Sequence, residues 1–113
     1  MNELINQTCV MCTGKTPKLT NTEIERLNSQ VPGWTVSNSD GVLQLHRAYI
    51  FNNFNDSIEF TNAIAVMAEQ QNHHPAILTE WGKVTVTWWT HTIKGLHSND
   101  FICALQTDKL FNS

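Results

Sequence analysis

Long apolar runs, an excess of basic side chains and a second pair of cysteines are all missing from this chain. No stretch approaches the roughly 18 consecutive apolar positions of a membrane-spanning helix, which argues against membrane insertion. Seven Lys and Arg stand against ten Asp and Glu, a formal net charge of -3. That mildly acidic balance argues against a phosphate-backbone binder, so a nucleic-acid partner is not expected. The opening residues MNELINQTCVMC lack a basic segment followed by a hydrophobic one, so the expected address is cytoplasmic. Cys9 and Cys12 form a CxxC pair, with Cys103 far along the chain. A structural zinc site normally takes four ligands, and a thioredoxin-like pair sits between a strand and a helix; neither pattern is met. The pair is left with a local structural role, a metal or redox role, or a subunit contact, and a reducing compartment argues against a stable disulfide. Cys103 falls in an apolar helical pattern and reads as inert packing. The five glycines are isolated, so no phosphate cradle is present, and there is neither a serine elbow nor an HExxH motif.

What is present suffices for a core. Hydrophobic residues make up 41% of the 113 residues, with four Trp and five Phe, and a chain of this size forms one domain. Residues 1–19 read as an irregular lead and 20–113 as the domain. Thr20 and Glu23 form a capping box for a short helix carrying Ile24, Leu27 and Val31, ended by Pro32-Gly33. Trp34 and Val36 lead into a hairpin whose turn lies over Asn38-Ser39-Asp40-Gly41 and whose second strand is Val42–Phe51. Asn53 caps a longer helix with a stripe of Phe54, Ile58, Thr61, Ala65 and Ala68, widened by Phe60, Ile64 and Met67. This helix should stop near Asn72, because Pro75 disfavours helical geometry at His74. Ile77–Trp81 and Lys83–His91 form a second hairpin around Gly82, and Ser98 caps a last helix. The order α-β-β-α-β-β-α predicts an α+β fold, a four-stranded antiparallel sheet covered by three helices. The uncovered sheet face and the edge strands favour a homo-oligomer.

Three of the five histidines bracket one strand-turn-strand segment: His73 and His74 before Pro75, and His91 at the end of the returning strand. Antiparallel pairing brings residues 75–77 beside 88–91, which gathers the three imidazoles around one opening. Imidazole titrates near neutrality, so such a cluster suits proton transfer. A three-histidine metal site is the competing arrangement, but no carboxylate second shell is identifiable for it.

The stretch Glu69-Gln70-Gln71-Asn72-His73-His74-Pro75, then Trp81-Gly82-Lys83-Val84-Thr85-Val86, Thr90-His91, Gly95-Leu96 and Asp100 resembles the pterin-4a-carbinolamine dehydratase family. The match spans about residues 20–110, and the CxxC lead is similar to that of some bacterial members. The resemblance implies dehydration of a 4a-hydroxytetrahydropterin, such as 4a-hydroxytetrahydrobiopterin, to the quinonoid dihydropterin plus water. His73, His74 and His91 match the family's active-site histidines. It implies His73 or His91 as acid and base, with His74 orienting the pterin and assisting the leaving oxygen. Glu69, Asn72, Asp100 and Trp34 match family site positions for holding the substrate. The pterin is the substrate, and neither a further cofactor nor a metal is expected. A homodimer or homotetramer is implied, with an aromatic amino-acid hydroxylase such as phenylalanine hydroxylase as functional partner. The alternative is a non-catalytic pterin-binding or dimerisation factor for such a hydroxylase or for a transcription factor. Three departures stand out: Asn72 where some members carry Asp, Ile77 in place of an aromatic, and Asn99 at an often basic position.

Overall fold

A computed structural model describes Leu4 and residues 7–113. The elements run α1 (Asn21–Asn28), β1 (Thr35–Ser39), β2 (Val42–Ile50), α2 (Phe54–Gln71), β3 (Ala76–Glu80), β4 (Lys83–Trp88) and α3 (Ser98–Phe111). This is the predicted α-β-β-α-β-β-α order. The strands form one antiparallel sheet in the order β1-β2-β4-β3, so β1 and β3 are its edges.

Local chemistry sets the boundaries. The Thr20 hydroxyl accepts from the Glu23 backbone N–H and the Glu23 carboxylate accepts from the Thr20 N–H, the reciprocal capping box that starts α1. That helix ends at Asn28, before the Pro32-Gly33 stop expected for it, and Val31 is buried in the turn that follows. Ser39 pairs with Val42, so the first hairpin closes over Asp40 and Gly41 alone. Both have positive φ, 51° and 86°, the geometry that matches the twist of the flanking strands. Gly82, at φ 73°, turns the second hairpin. Asn53 caps α2 through the Asp56 N–H, and Asn72 closes the helix in the left-handed region at φ 51°.

The core lies between the helices and one sheet face. Leu45 and Tyr49 of β2 and Val84, Val86 and Trp88 of β4 are buried there, against Ile64 of α2 and Phe101 of α3. The alternation expected along β4 therefore holds. On α2 the buried stripe is Ser57, Phe60, Ile64, Met67 and Ala68, whereas Phe54 and Ala65 are exposed. The stripe is rotated from the expected one, onto the face that carries Ser57 and Ile64, both 0% exposed.

Two expected boundaries are corrected. The last strand ends at Trp88, and His91–Ile93 form a 3₁₀ turn. Thr90 and Gly95 still bridge, so the chain folds back on itself there. The cap of α3 is His97, not Ser98: its Nδ1 accepts from the Asn99 N–H while Asp100 Oδ2 accepts from the His97 N–H. The described part of the lead has no helix or strand, as expected, but it packs on the domain rather than trailing from it.

Candidate active site

A cavity of about 270 Å³ is lined by Asn72, His73 and His74 after α2, by Thr90, His91 and Thr92 beyond β4, by Asn99 of α3, and by Val10, Met11 and Cys12 of the lead. Chain topology explains the gathering. The left-handed cap at Asn72 stops α2 and turns His73 inward, Pro75 leads into β3, and β3 pairs with β4 so that Ala76 faces Thr87. The three histidines thus meet at one opening, as their spacing predicts.

Each imidazole has a different environment. His73 is 9% exposed and stacks on Trp88, with ring planes 6° apart and centroids at 5.6 Å. Its Nε2 lies 2.6 Å from Asp100 Oδ1. Asp100 is fully buried, and its Oδ2 accepts from the Thr90 hydroxyl at 2.8 Å and from the His97 N–H at 3.0 Å. A buried carboxylate facing these donors is a fixed acceptor, so His73 donates to it from Nε2, and its Nδ1 has no hydrogen bond among the described residues. His74 is exposed, with Nε2 2.6 Å from Glu69 Oε2 one helical turn back. His91 is exposed too; its ring lies 4.4 Å from that of Trp89 and has no hydrogen bond among the described residues.

The structure brings together His73, His74, His91 and Asn72 as cavity walls, with Asp100 and Glu69 behind two of the imidazoles. Trp34 is elsewhere. It is 2% exposed in the core, and its indole N–H donates to Asp108 Oδ1 at 3.0 Å, an oxygen that also accepts from Arg47 and from the Tyr49 hydroxyl. Carboxylates do stand behind two of the three imidazoles, contrary to the expectation that none was identifiable, yet among the described residues no group of three or more His, Cys, Asp or Glu is arranged to hold a metal ion.

The lead is the wall that sequence reasoning missed. The Asn99 side chain is buried and reads the Val10 backbone from both sides: Oδ1 accepts from the Val10 N–H at 3.0 Å, and Nδ2 donates to its carbonyl at 2.7 Å. Gln71 Oε1 accepts from the Cys9 N–H at 2.9 Å. A segment without apolar periodicity gives no sign of docking. The one available signal was Asn99, where an amide replaces a basic residue and satisfies a peptide group on both its polar sides.

The pterin 4 alpha carbinolamine dehydratase family model matches residues 17–110. The chain is also similar to a solved structure of a transcriptional coactivator/pterin dehydratase from Brucella melitensis. The two share 26% identity at a TM-score of 0.74, covering 83% of this chain and 98% of that one.

Proposed function

This chain belongs to the pterin 4 alpha carbinolamine dehydratase family, and from that premise we propose that it dehydrates a 4a-hydroxytetrahydropterin, such as 4a-hydroxytetrahydrobiopterin, by histidine acid–base catalysis. The observation that carries the proposal is three imidazoles on one cavity, two of them backed by carboxylates at 2.6 Å. The reaction breaks the C4a–O bond and forms a C4a=N5 double bond. It needs a proton delivered to the departing oxygen and one removed from N5. His73, oriented by Asp100, is the base at N5–H through its Nδ1. A base held in one tautomer by a buried carboxylate is the arrangement that hydrolytic triads also use. His91, whose ring nitrogens have no hydrogen bond among the described residues, and His74, paired with Glu69, flank the other side of the opening. They supply the proton that leaves with the hydroxyl as water. Asn72 lends its amide to the pterin edge. Trp34, held in the core by Asp108, acts only through packing.

The physiological setting follows from this chemistry: the substrate arises where an aromatic amino-acid hydroxylase such as phenylalanine hydroxylase oxidises a tetrahydropterin, in the cytoplasm. No helix among the described residues is long and apolar enough to cross a membrane. The helix-free sheet face exposes Ile50 and Leu78, 69% and 59% accessible. Two large aliphatics beside open strand edges support assembly into a homodimer or homotetramer. The test of function is the dehydration rate of freshly generated 4a-hydroxytetrahydropterin with chelator-treated native protein. Acceleration over the solution rate is expected, and none from well-folded protein would overturn the proposal in favour of a non-catalytic pterin-binding or dimerisation role.

A further inference from the structure

The CxxC motif of the lead is not used by the dehydration chemistry, and the fold gives it a different partner. Cys9 Sγ lies 3.4 Å from Cys103 Sγ on α3, although 94 positions separate them in the chain. Cys12 does not share this contact; it lines the histidine cavity, within 3.4 Å of Asn99 Nδ2. The backbone of the lead is tied at Cys9 by Gln71 and at Val10 by Asn99. The two sulfurs are thus held together by bonds that do not involve them.

We propose that Cys9 and Cys103 are a peroxide-sensitive thiol pair whose oxidation to a disulfide fastens the lead across the histidine cavity. The sulfur atoms are already in contact, and a disulfide bond of about 2.05 Å needs them to close by little more than 1 Å. The two thiols are unlike, which assigns their roles. Cys9 is half-buried and reachable by a small oxidant, whereas Cys103 is buried completely. The Cys103 thiol donating to Cys9 holds Cys9 below the ordinary cysteine range, against the opposing effects of burial and of the Asp100 carboxylate. Cys103 is pushed far above that range by Cys9 and by burial. Cys9 is therefore the attacking thiolate and Cys103 the resolving thiol.

The steps balance with hydrogen peroxide as oxidant. The Cys9 thiolate attacks one peroxide oxygen and the O–O bond breaks. Cys9 becomes a sulfenic acid, and the hydroxide released takes up a proton as the first water. The Cys103 sulfur then attacks Cys9 sulfur, the S–O bond breaks, and the hydroxyl leaves with the Cys103 proton as the second water. Two thiols are oxidised and one peroxide is reduced. The bridge ties Val10, Met11 and Cys12 to α3, so one wall of the cavity becomes covalently fixed. An external dithiol reverses the process.

The bridge is detected without recourse to the dehydration reaction. The native protein is treated with hydrogen peroxide, remaining thiols are alkylated, and non-reduced tryptic peptides are analysed by mass spectrometry. A cross-link joining the peptide that ends at Lys15 to the one that contains Cys103 is expected, and fragmentation should place the bridge on Cys9. Cys12→Ser should keep the cross-link and Cys9→Ser should lose it. Oxidation should raise the melting temperature of native protein and of Cys12→Ser but not of Cys9→Ser, and dithiothreitol should undo the rise. A Cys9–Cys12 bridge, or oxygen added to Cys9 while Cys103 stays alkylatable after unfolding, would overturn the proposal. Because the native protein alone locates the bridge, a poorly folding variant does not weaken the test.

Discussion

Asp100 and Glu69 each hold a histidine nitrogen at 2.6 Å, yet burial makes the two contacts unequal. Asp100 is fully buried and serves three donors, whereas the His74 and Glu69 side chains are 55% and 75% exposed. Solvent screens the exposed pair to well under about 1 kcal/mol. Disturbing a buried acceptor costs roughly 1–3 kcal/mol, because its donors have nowhere else to turn. Asp100→Asn should therefore destabilise by about that amount and lower kcat on the order of 10-fold or more, by loosening the His73 tautomer. Glu69→Gln should leave the melting temperature nearly unchanged. Denaturant melts and steady-state rates check both, and equal effects from the two variants would refute the distinction. From sequence these carboxylates were indistinguishable, each matching a motif position, because burial is a property of the assembled layers. Likewise Trp34 matched a site position while the fold uses its N–H to satisfy Asp108.

At the scale of elements, the α2 terminus does most to shape the site. Asn72 lines the cavity and also adopts the left-handed conformation that ends the helix. Asn72→Ala should cost about 1 kcal/mol, the steric penalty of that conformation for a residue whose side chain offers no local hydrogen bond. Asn72→Gly should retain stability, since glycine adopts the conformation freely, but should raise KM by removing the amide. An unchanged KM in the glycine variant would confine Asn72 to its backbone role. Much of this architecture was legible in the chain: the Thr20–Glu23 box, the Asp40-Gly41 turn, the Asn53 cap and the alternation of β4 are local signals that the structure keeps. What misled was also local. The alternation of buried and more exposed positions does run on through Trp88, Trp89, Thr90 and His91, with the Thr90 hydroxyl inward on Asp100, but strand pairing stops at Trp88 and the chain enters a 3₁₀ turn. Ser98 looked like a cap because hydroxyls usually are, while His97 with Asp100 does that work here.

For the whole molecule, the packing of sheet against helices can be read through one chromophore. Tyr49 is the sole tyrosine, 2% exposed, with its hydroxyl on Asp108. Burial first, then the Asp108 carboxylate, pushes its phenol far above the ordinary tyrosine range, against the pull of Arg47. The neutral phenol's contribution to stability is complete below the unfolded-chain value of about 10 and declines as the pH rises beyond it. Tyrosinate absorbance should therefore appear only together with loss of the far-ultraviolet circular dichroism of the fold. A titration near 10 in folded protein would contradict the packing described. For the proposed homo-oligomer, Leu78→Glu on the opposite sheet face should reduce the mass seen by light scattering without lowering monomer helicity, and an unchanged mass would remove that face from the proposed interface. The proposed role of the three imidazoles is to carry the chemistry of the cavity they share. Its most direct test is the dehydration rate of freshly generated 4a-hydroxytetrahydropterin with His74→Ala and His91→Ala, both exposed positions whose loss should leave the fold intact. Each variant should melt like native protein and lose on the order of 10²-fold in rate; native rates in both would rule out that role.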